Sequence, residues 1–190
     1  FAVTALVSLA ALPSALRLEL RTDLGEFTAG NSPEQAFYEE TRQLFGSDAF
    51  SFVYLQSPSL FTAKGLARVH ELAARLSRIE NVEQVDSIFT VTEFALEDDA
   101  LRVAPLMESP PADNQAARDL MQRALAIPIV PESLLSRNGD ATLLRLRLRD
   151  VAADRKAQTA WLRRMFADTE AVLQPFREDF DDVFQFGFPA

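Results

Sequence analysis

The chain has 190 residues, 48% hydrophobic and 25% charged, an ordinary globular composition with enough apolar side chains for one sizeable core or two small ones. Its net charge of -9 argues against nucleic-acid binding, which draws on a basic surface. The absence of cysteine excludes disulfides, zinc thiolates and cysteine nucleophiles.

Residues 1–16, FAVTALVSLAALPSAL, carry no charge. The run is shorter than the roughly 20 residues that span a bilayer. Three readings stay open: the outer half of a transmembrane helix whose start is missing, the apolar core of a signal peptide with Pro13-Ser14-Ala15 near its cleavage site, or an ordinary buried helix. Because the chain opens at Phe1 rather than Met, it is read as a fragment or a processed product. The first two readings put the rest of the chain outside the cytoplasm. Residues 17–49 follow as an extended linker and a helix. Leu16, Leu18 and Leu20 alternate with Arg17, Glu19 and Arg21, then Ser32-Pro33-Glu34 starts a helix carrying Ala36, Phe37, Leu44 and Phe45, with Gly46 as its stop.

Phe50, Phe52 and Tyr54 alternate with Ser51, Val53 and Leu55, which predicts a strand over 50–55 with one strongly apolar face. Ser57-Pro58 stops it. A helix over 62–79 aligns Leu66, Val69, Leu72, Ala73, Leu76 and Ile79 on one side, with Lys64, Arg68, Glu71, Arg75 and Arg78 opposite. Residues 82–88 read as a strand of ambiguous facing, since Val82 and Ile88 share one side and Val85 and Phe89 the other. The segment from about 90 to 135 breaks the pattern and reads as an insertion. It holds an extended piece over 101–106 and a helix over 114–126 capped by Asp113.

Asn138-Gly139 between apolar alternations signals a hairpin whose two central positions both need positive φ. The strand over 141–149 places Leu144, Leu146 and Leu148 on one face and Arg145, Arg147 and Arg149 on the other. A helix over 155–174, capped by Asp154 and ended by Pro175, carries Trp161, Leu162, Met165, Phe166, Val172 and Leu173. A last strand over 182–188 is expected to turn Phe184, Phe186 and Phe188 inward and Val183, Gln185 and Gly187 outward. The order is βαββαβ, so the expected fold is α+β and ferredoxin-like: an antiparallel sheet over 50–190 with both helices on one face. The free face is expected to carry Ser51, Val53, Arg145, Arg147, Arg149 and Gln185, as a surface for docking another domain or facing a substrate.

These residues resemble the first extracytoplasmic (porter) domain of the resistance-nodulation-division superfamily, nearest its MMPL-like and hopanoid-exporter branch. The resemblance rests on an apolar segment running through an extended piece into Thr22-Asp23-Leu24, and on a helix ending in Phe45-Gly46 before the first sheet strand. It rests further on Leu60-Phe61-Thr62 followed by a helix and Ile79-Glu80-Asn81-Val82-Glu83-Gln84-Val85-Asp86-Ser87, and on Gly187-Phe188-Pro189 at the end. It covers nearly the whole chain, with 90–130 matched least. It implies a proton-driven exporter in the bacterial cytoplasmic membrane, with this domain on the outer side, a second porter domain of the same polypeptide as partner, and a hydrophobic or lipid-like substrate. A homo-oligomer is compatible with it. The titratable groups that couple protons to transport would lie in transmembrane helices outside this stretch. No enzymatic activity, catalytic residue, cofactor or metal site is implied.

Other signals read as structural. His70, the only histidine, lies at the edge of an apolar stripe and is read as packing its ring. Glu178, Asp179, Asp181 and Asp182 lack the glycine and spacing of a calcium loop and are read as a solvated turn, as is Asp98-Asp99. The arginine row is read as a solvated strand face, with an anionic headgroup or acidic partner as the sharper alternative. Phe50, Phe52, Phe184 and Phe186 are read as core rather than as a substrate cleft. Two rivals stay open: a free periplasmic binding module, and a ferredoxin-like regulatory or enzymatic domain of the cytoplasm.

Overall fold

The computed structural model describes residues 49–97, 100–149 and 155–187, with positions 33, 36, 37, 40, 41 and 44 ahead of them. The expectations for residues 1–16, for the extended segment after them, for Gly46, Asp98-Asp99, Asp154 and Phe188 fall outside the described residues. The chain divides into two compact units, Phe1–Leu44 and Phe45–Ala190. In the first, the described positions are helical, Thr41 Oγ1 donates to the Phe37 carbonyl at 2.8 Å, and Phe37 and Leu44 are exposed.

The second unit runs β1 (Phe50–Gln56), α1 (Ala63–Leu76), β2 (Val82–Asp86), the ribbon β3 (Thr92–Glu97) and β4 (Ala100–Pro105), α2 (Asn114–Ala126), α3 (Val130–Ser133), β5 (Ala141–Leu148), α4 (Arg155–Leu173) and β6 (Asp182–Phe186). The four-stranded sheet has the order β2-β5-β1-β6 and every pairing is antiparallel. This is the strand order of the expected ferredoxin-like fold, so the α+β architecture stands.

Helix α1 forms because its stripe Leu66, Val69, Leu72 and Leu76 is buried and its first turn is capped. Thr62 Oγ1 accepts from the Gly65 amide at 3.0 Å, and Asn114 Oδ1, at the start of α2, accepts from the Ala63 amide at 2.9 Å. The insertion thus caps the main body. Asp113 caps α2 as expected, accepting from Gln115 and Ala116. Ala117, Leu120 and Ala124 of α2 join one core with Val53, Leu55, Leu144, Leu146, Leu148, Met165 and Leu173.

Three local expectations are corrected. The ambiguous facing of β2 is resolved by a bulge: Val82 pairs with Leu148 but Gln84 with Arg147, so Glu83 is the extra residue and both Val82 and Val85 face the core. The strand stops at Asp86 because Ser87 caps a 3-10 turn, Ile88–Thr90. The extended piece near 101 gains a partner the reading lacked, β3, and the Leu106 amide closes the base of the ribbon on the Val91 carbonyl at 2.8 Å. At Asn138-Gly139 only Gly139 has positive φ, 73°. The turn is wider than a two-residue hairpin: Ser136 Oγ accepts from the Asp140 and Ala141 amides, and its incoming arm makes one bridge, Leu135 with Thr142.

Candidate functional site: the bare face of the sheet

Directly opposed residues of neighbouring strands share a face. Strand β5 sets the facing: Leu144, Leu146 and Leu148 are fully buried, while Arg145 and Arg147 between them are only half-buried. Its register with β1 puts Val53 opposite Leu144, Ser51 opposite Leu146, Phe52 opposite Arg145 and Phe50 opposite Arg147. Register of β1 with β6 puts Phe52 opposite Phe186, Tyr54 opposite Phe184 and Val53 opposite Gln185. The aromatic residues therefore lie on the face away from the helices, with the arginines.

This corrects half of the expected face. Ser51 and Val53 are at 0% exposure, beneath the helix layer. Gln185 is on the same side: its Nε2 donates to Ser51 Oγ at 2.9 Å and reaches Met165 Sδ on α4 at 3.5 Å. Conversely Phe184 and Phe186, expected inside, are 48% and 43% exposed, and Val183 is buried in their place. Arg145 and Arg147 are on the bare face as expected. Arg149 is exposed just past β5, where its amide donates to the Asn81 carbonyl at 2.8 Å. The physical reason is that both parities of β1 are apolar, so the bulkier set looks like core. The aliphatic set is the one that meets the leucines of β5 and the helices.

The bare face has two halves. On β1 and β6, Phe52 stacks on Phe186 with ring centroids 5.4 Å apart, and Tyr54 on Phe184 at 4.7 Å. The Tyr54 hydroxyl donates to Gln56 Oε1 at 2.7 Å. On β5 and β2, Asp86 Oδ2 accepts from Arg145 Nε at 2.9 Å and Nη2 at 2.6 Å, a forked ion pair. Gln84 Nε2 donates to the other oxygen of Asp86. The Arg145 guanidinium sits 5.2 Å over the Phe50 ring. The Arg147 guanidinium, between Phe50 and Gln84 in the register, has no hydrogen bond or ion pair among the described residues. Asp86 and Gln84 were not singled out from the sequence. Their signal was the β2–β5 register, and the bulge hides that register.

The remaining signals behave as structure. His70 packs against Phe89, edge to face, at 4.8 Å. Asp179 accepts from Arg68 Nε at 2.8 Å, and Arg68 lies 4.4 Å over the Phe176 ring, which fastens the turn before β6 to α1. That hydrogen bond to Asp179 raises the Arg68 pKa and outweighs burial, which lowers it. Among the described residues no group of three or more His, Cys, Asp or Glu side chains is placed to hold a metal ion. No described helix is long and apolar enough to cross a membrane. A cleft of about 170 Å³ beside Thr62, Lys64 and Glu178 is small against the roughly 300 Å³ at which ligand pockets begin. No family model matches this chain, and no curated protein matches it either.

Proposed function

We propose that this chain is an extracytoplasmic porter domain of a proton-driven exporter of the resistance-nodulation-division type, held on the outer side of a bacterial cytoplasmic membrane. It works by offering a surface rather than by chemistry. The observation that carries the reading is the uncovered side of the sheet, where Phe184 and Phe186 stand about half exposed beside Phe52 and Tyr54. Large apolar side chains held out of the core on a regular sheet mark an interaction surface. The order of motifs from Leu60-Phe61-Thr62 to Asp86-Ser87 supports the exporter in particular. A stand-alone binding module would use the same face without a proton gradient.

The test uses the full-length polypeptide in proteoliposomes, with a fluorescent long-chain amphiphile as transported probe. Transport is expected to follow an imposed pH gradient and to collapse with a protonophore. Phe186→Ser and Arg147→Glu are expected to lower it while leaving insertion in the bilayer unchanged. Movement of probe that ignores the gradient defeats the exporter reading and leaves the binding module.

A further inference from the structure

The geometry points to a specific occupant of the bare face: a monomeric single-chain amphiphile with one acidic headgroup, its tail across the aromatic half of the sheet and its head at Arg147. This deepens the reading above and rests on that face being the working surface.

Charge is the first argument. Several described cations lack an acidic partner, Arg78, Arg137 and Arg163 among them, but these stand outside the sheet strands, whereas Arg147 stands on β5 beside the aromatic rings. Arg145 is already forked onto Asp86. Arg147, one pleat further along the same face, has no partner among the described residues. A guanidinium in that position attracts a carboxylate or phosphate and disfavours a cationic head.

The second argument is the path. Arg147 stands opposite Phe50, Phe52 is the next residue of β1 on that face, and Phe52 stands opposite Phe186, which neighbours Phe184. The stacked pairs Phe52–Phe186 and Tyr54–Phe184 join these rings into one apolar floor. An extended tail leaving Arg147 crosses that floor diagonally and shields rings that otherwise face water.

Size is the third. With strands about 4.8 Å apart and a rise of about 3.4 Å per residue, a sheet of four short strands presents a face of roughly 20 by 17 Å. That is well under the roughly 800 Å² that each partner contributes to a standard protein interface. The face suits a single chain better than a folded partner.

The test is calorimetric titration of the full chain, at low salt and below the micelle concentration, with dodecanoate and with dodecyltrimethylammonium as a cation of equal tail length. Dodecanoate is expected to bind more tightly. Arg147→Gln is expected to weaken dodecanoate about tenfold and leave the cation unchanged, the scale of one charge-assisted contact. Phe186→Ser, with Phe184→Ser as a second variant, is expected to weaken both, and Arg137→Gln, in an exposed turn elsewhere, neither. Equal affinity for the two heads overturns the inference. So does an Arg147→Gln variant that binds like the parent, or binding to phosphatidylglycerol vesicles with none to monomeric dodecanoate. No transmembrane gradient enters this measurement. Failed binding with gradient-driven transport intact therefore rejects the ligand alone, and intact binding without such transport rejects the exporter alone.

Discussion

Asp86 and Arg145 meet on the side of the sheet opposite helices α1 and α4, and the pair is lopsided: the carboxylate side chain is 10% exposed and the arginine side chain 43%. They stand opposite each other in the β2–β5 register, at the edge strand that the bulge re-aims. Asp86→Ala is expected to cost about 1–2 kcal/mol, because it leaves a half-buried guanidinium without its forked acceptor. In a double-mutant cycle with Arg145→Ala, the coupling is expected at up to about 1 kcal/mol. Urea unfolding of the four proteins measures it, and a coupling of zero removes the pair from any account of how β2 is held.

Val53 and Phe52 are adjacent in sequence and lie on opposite faces, which turns the facing of β1 into a mutational test. Val53→Asp puts a carboxylate beneath the helices at a position with 0% exposure, and is expected to cost more than about 3 kcal/mol. Phe52→Asp puts the same group on the bare face opposite Arg145, and is expected to cost about 1 kcal/mol through lost ring stacking. Thermal melts of the two variants decide it. The reverse ranking returns the aromatics to the core.

The fold was legible because its signals are local. The leucine–arginine alternation of 144–148, the stripe Leu66 to Leu76 and the cap Asp113 each need only their own segment to be read. The facing of β1 and β6 was not, since it is a property of pairing. Val53, Leu55 and Val183 compete with Phe52, Tyr54, Phe184 and Phe186 for the same core, and only the register with Leu144 and Leu146 decides between them. Glu83 hides the facing of β2 in the same way, because one extra residue reverses the parity after it. Strand β3 did leave a trace, with Thr92 and Phe94 alternating around Glu93, but its acidic residues and the following Asp98-Asp99 made it read as loop. The arginines of the bare face were found because they are the polar phase of an unambiguous strand. Its aromatics were missed because bulk was taken for burial.

Gly65 sits in the first turn of α1 where any side chain would strike backbone. A Cβ there would lie 2.4 Å from the Ser59 carbonyl oxygen and 2.5 Å from that of Leu60. In an open helix, Gly→Ala is worth about 1 kcal/mol in favour of alanine. Here the clash with two rigid carbonyls reverses the sign, and Gly65→Ala is expected to destabilise by about 1–3 kcal/mol. The shift in the urea midpoint reads this directly, and a stabilised variant means that the Ser59–Leu60 turn can retreat from the helix.

Acid dependence follows from carboxylates held by arginines and caps. The hydrogen bonds from Arg177 hold the Glu170 pKa below its ordinary 4.5, with lesser help from Gln174. Those from Arg75, then the charge of Arg68, do the same for Glu71, and Ser136 does so for Asp140 against an ordinary 3.8. A lowered folded pKa contributes stability that is fully present above the unfolded value and is lost as pH falls through the folded one. These groups therefore weaken the fold in a window that begins near pH 4.5 and runs downward. Between pH 7 and the isoelectric point near 4.7 the loss of net negative charge pulls the other way, since protonation relieves self-repulsion, and below it the growing positive charge adds to the destabilisation, so the raw profile mixes these effects. The difference between the parent and Arg177→Met separates them. Arg177 forks onto Glu170 at 2.7 and 2.9 Å, so the parent is expected to be the more stable of the two near neutral pH, and that advantage is expected to shrink as pH falls below about 4.5. Urea midpoints of both proteins from about pH 7 to 3 measure this, and salt near 1 M is expected to compress the difference because both side chains are well exposed. A gap between the two proteins that widens on acidification contradicts the assignment of Glu170 as the group Arg177 holds ionised.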